Sequence, residues 1–310
     1  MNLIVSIKKM MLATVCLLLF SVSVAANTEY VSEYPQTLND LKVITSNIPL
    51  ALISRDVIGD LGRVDSLLKA GQSPHDFALK VSDRKRLAHA DLLVWLGADI
   101  EPYLLSFADQ QARQQLRMDQ LLGVVGKDNH HHQVHSEHLH NTQADNSHAW
   151  LSPDNALKLA TLMVERLIEI KPALKDQLSA NLTVFRERLA VVDSEIKQSL
   201  AVISEQPYGA VHGAYSAFTE YYGLSKPFMI SLSTERPPGI KRLLSLRKEL
   251  PKGSCVLVEP EHAQGWPKQL TAREGLKLEQ IDTLAGSHNY PTYVAWLQKF
   301  ASDFSLCLQS

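Results

Sequence analysis

Six histidines fall within eleven consecutive positions: His130, His131, His132, His135, His138 and His140. Neutral imidazole is the commonest protein ligand for divalent transition metals. The surrounding Asp, Asn, Gln and Ser residues mark a loop rather than a core segment. The tract therefore predicts an encounter with zinc, nickel or copper; a charged loop with no metal role is the alternative. Six further histidines are dispersed along the chain: His75, His89, His148, His212, His262 and His288. Of these, His75 follows a predicted strand, His148 lies just before a predicted helix, and His212 ends an apolar run. Ligands of open α/β sheets bind outside the carboxyl ends of the strands, where these three can converge. Three imidazoles suit zinc, each at about 2.0–2.1 Å in near-tetrahedral geometry. They bind only when deprotonated, so affinity should fall below a pH of about 6.5. A fourth ligand is a carboxylate or water. Asp282, at the end of the last predicted strand, is the best-placed acid, with Glu259 its rival. His89 and His262 read as structural, and His288 as a surface-loop residue.

The elements that must position these groups follow from the pattern. Val43–Thr45, Val64–Leu68 and Leu92–Trp95 read as strands, with a helix starting near Ser82. Ser152-Pro153-Asp154 is a helix start: a serine cap, proline in the first turn and an acid at the positive end. Pro172 stops that helix near Lys171. Leu174, Leu178, Leu182, Phe185, Leu189, Val192, Ile196 and Leu200 then recur at intervals of three or four, one stripe of a long amphipathic helix. Further strands are predicted at 208–212, 227–232, 255–258 and 278–282, with helices over 214–222 and 239–250. Strand–helix alternation of this kind indicates an α/β fold: two lobes with mainly parallel sheets and flanking helices, a long rigid helix joining them, and a ligand cleft between. The expected divisions are a signal peptide at 1–26, an N-terminal lobe at 27–171 containing the His-rich loop 127–147, a linking helix at 172–203 and a C-terminal lobe at 204–310.

The signal peptide reading rests on Lys8-Lys9, the apolar run from Met10 to Phe20, and small residues ending in Ala25-Ala26. Cys16 would leave with it, so Cys255 and Cys307 remain. An even count in an exported chain favours a disulfide, with two buried thiols as the alternative. The 31 basic and 33 acidic residues nearly balance, which argues against nucleic acid or an anionic membrane as partner. No His-Glu-x-x-His helix and no nucleophile motif is present.

Several segments together carry a family likeness: Ser73-Pro74-His75-Asp76-Phe77-Ala78-Leu79 with Ser82-Asp83, Ala90–Gly97, His148-Ala149-Trp150-Leu151-Ser152-Pro153, His212-Gly213-Ala214-Tyr215, and Pro238–Leu243. Over nearly all of the mature chain the sequence resembles the zinc-specific periplasmic solute-binding proteins of bacterial metal ABC transporters. The resemblance implies metal ligands His75, His148 and His212, an acid matching Asp282, and an accessory metal loop at His130–His140. It also implies a second-lobe disulfide consistent with Cys255 and Cys307. The expected activity is capture of Zn²⁺ in the periplasm by a monomer, for delivery to a membrane permease powered by a cytoplasmic ATPase. The sequence departs from the family at Pro74, Asn146-Ser147 and Gly213, positions that tune the ligands rather than supply them. A zinc-dependent hydrolase and a metal-binding adhesin are the alternatives from other classes.

Overall fold

The computed structural model describes residues 41–72, 77–108, 114–121, 148–231 and 236–309. The described residues form two parallel sheets of four strands each. In the first, β1 (Leu41–Thr45), β2 (Gly62–Ser66), β3 (Leu92–Trp95) and β4 (Gln115–Arg117) lie in the order β2-β1-β3-β4. Parallel strands need crossovers. Three helices supply them or flank the sheet: α1 (Ile48–Ile58), α2 (Val81–Ala88) and α3 (Pro102–Ala108). β3 reads Leu-Leu-Val-Trp and is buried throughout, as a central parallel strand must be. β4 has three half-buried residues and no alternation, and sequence reasoning missed it.

After the single turn α4 (Met118–Leu121), the described chain resumes at His148 and enters α5 (Pro153–Ile170). The Ser152 hydroxyl accepts from Asn155 N, and Lys171 ends the helix as Pro172 requires. A 3₁₀ turn at Pro172–Leu174 then runs directly into α6 (Lys175–Ala201). At about 1.5 Å per residue α6 extends about 40 Å. Its predicted stripe is the buried face: Leu178, Phe185, Leu189, Val192, Ile196 and Leu200 are buried.

The second sheet comprises β5 (Gly209–Ala210), β6 (Phe228–Met229), β7 (Cys255–Val258) and β8 (Lys277–Gln280), in the order β6-β5-β7-β8. Helices α7 (Ser216–Tyr221), α8 (Ile240–Glu249) and α9 (Trp266–Glu274) accompany it, and α10 (Tyr293–Gln309) closes the described chain.

Helix α6 packs against α5 and α1 on the side of the first sheet and against α10 on the side of the second. Asn181 on α6 donates to the carbonyls of Val57 and Ile58 at 3.0 and 3.3 Å, satisfying acceptors that the end of α1 leaves unpaired. Asp193, lower on the same helix, accepts from Tyr221 of α7 at 3.0 Å. One core therefore runs from Leu50 and Val57 through Phe185 and Leu189 to Phe300 and Phe304. Among the described residues no helix is long and apolar enough to cross a membrane.

Cys255 at the start of β7 and Cys307 near the end of α10 form a disulfide, with Cα atoms 5.7 Å apart and a sequence separation of 52. In the chain-entropy model, closing such a loop stabilises the fold by about 4 kcal/mol. Reduction, or Cys307→Ser, should lower unfolding stability by up to that amount; a denaturant titration showing no shift of midpoint would contradict it.

Candidate metal centre

The centre is built from strand ends. β5 pairs with β7 so that Gly209 faces Val256 and Ala210 faces Leu257. Extending that register by two residues sets His212 opposite Glu259, on strands about 4.8 Å apart. Glu259 precedes Pro260 and takes the extended conformation such a position favours, with φ −75° and ψ 145°. His148 arrives from the other side, as the residue before a 3₁₀ turn at Ala149–Leu151 that leads to α5.

The three side chains meet. His148 Nε2 lies 3.1 Å from Glu259 Oε1, and His212 Nε2 lies 3.1 Å from Glu259 Oε2. One ligand atom from each residue lies within 4.8 Å of the others. Thr283 Oγ1 also donates to Glu259 Oε1. Glu259 and His148 are buried, at 2% and 3% exposure, while His212 is half-buried. A carboxylate so placed must be paired and hydrogen-bonded. Burial alone would push the Glu259 carboxyl up. The neighbouring His212 and His148 and the Thr283 hydroxyl outweigh that, holding it well below the usual carboxylate range.

Trp150 fixes the approach of His148. Its ring is fully buried with its centroid 5.2 Å from that of His148. Its Nε1 donates to Thr283 O at 2.9 Å, and Tyr293 Oη donates to Trp150 O at 2.7 Å. Thr283 thus holds both the indole and the carboxylate, and ties the His148 segment to the second sheet. Tyr293 N in turn donates to Asp56 Oδ2 of α1 at 2.9 Å.

Asp282 is placed differently. Its carboxylate accepts from the backbone N–H groups of Leu284, Gly286 and Ser287 at 3.2, 3.0 and 2.7 Å, organising the loop after β8. It is not a member of the His148–His212–Glu259 group. With Glu261 it lines a cavity of about 280 Å³, whose other wall includes Lys69–Gln72 from the loop after β2. Burial, then the charge of Glu259, raises the Glu261 carboxyl to about 7. His262 is half-buried beside His212, and His288 is exposed. His75 lies outside the described residues, although Gln72 of the cavity wall precedes its segment. The accessory tract, His130, His131, His132, His135, His138 and His140, also lies outside them.

Two parallel α/β sheets linked by a long helix, with imidazoles and a carboxylate converging beyond the ends of β5 and β7, define a metal-binding solute receptor. Residues 43–307 match the family described as zinc-uptake complex component A, periplasmic, and the chain belongs to that family. It is 30% identical over 301 residues to the high-affinity zinc uptake system protein ZnuA of Yersinia pestis, covering 89% of this chain and 93% of that one. Among solved structures, a crystal structure of ZnuA superposes with a TM-score of 0.68 at 21% identity, covering 86% of this chain and 99% of that one. Zn(II)-bound AdcA from Streptococcus pneumoniae gives 0.67 at 21% identity; the fold covers 87% of this chain but 58% of that longer one. The protein is therefore a periplasmic zinc-binding component of an uptake system, a solute-binding protein and not an enzyme.

The folded-state depression of Glu259 has a consequence for stability. Its ordinary value is 4.5, so its stabilising contribution is present above that pH and is lost as pH falls below it. Glu259→Gln should flatten the acid limb of a stability–pH curve in the metal-free protein. An unchanged slope below pH 4.5 would show that the carboxylate is not held in this way.

Proposed function

We propose that His148, His212 and Glu259 bind the transported Zn²⁺, that His75 completes the site, and that the loaded protein hands the ion to a membrane permease driven by an ATPase. The observation that carries the ligand set is the shared carboxylate. Glu259 engages both imidazoles at 3.1 Å, one from the segment before α5 and one from the end of β5. Two neutral imidazoles with a carboxylate are a borderline-soft donor set suited to zinc. Affinity order alone would favour Cu²⁺, so the physiological cargo is set by the system the protein serves. Asp282 organises the neighbouring loop and lines the adjacent cavity, with its oxygens engaged by backbone donors.

In this reading residues 27–171 and 204–310 act as two lobes about the helix 172–203, the signal peptide 1–26 directs export, and the chain works as a monomer. The His-rich tract gathers ions at low affinity and passes them to the cleft.

Single substitution of His75, His148, His212 or Glu259 should weaken calorimetric zinc binding by about 100-fold or more, while Asp282→Asn should change it little. Loss of the tight site in Asp282→Asn, with Glu259→Gln sparing it, would make Asp282 the fourth ligand instead. Deleting residues 130–140 should remove weak binding and leave the tight site intact; loss of the tight site would make the tract a primary ligand. A strain lacking the protein should grow poorly under chelation, and added zinc should restore it. Growth that zinc does not rescue would argue for another role.

A further inference from the structure

We infer that Glu261 and His262, sharing Glu259 with the inner group, form a second cation station at the mouth of the metal centre, through which zinc enters and leaves. The inference rests on the ligand reading above, because the inner group must hold the ion for an outer station to serve it.

The 3₁₀ turn Pro260–His262 is closed by His262 N donating to Glu259 O at 2.9 Å. That bond folds the chain back within three residues and brings Glu261 and His262 beside Glu259. One donor atom from each of Glu259, Glu261 and His262 lies within 4.8 Å of the others. The His262 ring meets that of His212 edge-on, with centroids 6.2 Å apart. Burial is graded: Glu259 is buried, whereas Glu261 and His262 are half-buried. Glu261 and Pro260 also line the 280 Å³ cavity, which borders the loop Lys69–Gln72.

Two carboxylates and one imidazole make a harder donor set than two imidazoles and one carboxylate. The outer station is therefore the weaker and less selective for zinc. Glu259 belongs to both groups, so an ion can exchange Glu261 and His262 for His148 and His212 without releasing its carboxylate. Keeping one ligand throughout avoids passage through a fully dissociated ion, and both filling and release are faster for it. No bond other than those to the metal forms or breaks.

The test is stopped-flow mixing of the mature full-length chain with Zn²⁺, followed by transfer to a chelator, read by tryptophan fluorescence. Trp150 is the local reporter, because its ring packs on that of His148. Glu261→Gln and His262→Ala should each slow filling and release by about tenfold with tight-site affinity unchanged, and Glu261→Asp should restore the rates. Unaltered rates in both variants would overturn the station. So would a loss of affinity as large as that of His212→Ala, which would place the residue in the inner site. Retention of tight zinc binding by His212→Ala would instead overturn the ligand set itself. Thermal melts matching the unsubstituted chain keep a rate change from being assigned to unfolding. Should one variant fail that check, the other decides.

Discussion

A carboxylate buried at the end of β7 must have positive charge beside it. Glu259 obtains this from imidazoles on two different loops, and this requirement organises what surrounds it. An imidazolium can supply the charge, and so can a divalent cation held by the same imidazoles in neutral form. In the ligand set proposed above, capture sets a cation beside a fixed negative group, so the buried carboxylate is compensated. Glu259, held well below the usual carboxylate range, keeps its charge as the partner beside it changes.

The scaffold reads as the means of holding His148 against that carboxylate. Helix α6 presents one apolar stripe to helices from both halves of the chain, and α10 packs against α1 as well as α6. Trp150, Thr283, Tyr293 and Asp56 continue the link as a chain of hydrogen bonds from the metal centre to α1. The buried indole leaves His148 little freedom to swing away, since both its backbone and its ring partner are pinned.

Much of this was legible in the sequence, and the rest failed for identifiable reasons. The stripe from Leu174 to Leu200, the cap at Ser152-Pro153 and the apolar run of β3 are local signals, and the structure contains those elements. Helix α1 carries no periodic signal because it is buried on nearly every side, from Pro49 to Ile58. Helix α10 does carry one, in Tyr293, Trp296, Leu297, Phe300 and Phe304, buried along one face. The two acids could not be separated in one dimension. Glu259 and Asp282 each follow a strand, and only the strand order distinguishes them. β7 lies next to β5 and its His212, whereas β8 is the edge strand one place further out. His262 reads as structural in the sequence, and nothing there reveals that a tight turn sets its ring beside that of His212.

The bridge between Cys255 and Cys307 joins the first residue of the strand that leads to Glu259 with the helix whose Tyr293 holds Trp150. These contacts span large separations along the polypeptide and join segments that lie far apart in the chain. As the chain emerges amino-end first, a half-made molecule has no competent receptor. Oxidation of the two thiols, which requires leaving a reducing compartment, then clamps the finished strand in place. Loss of the bridge would therefore loosen the carboxylate's strand and the support of Trp150 together.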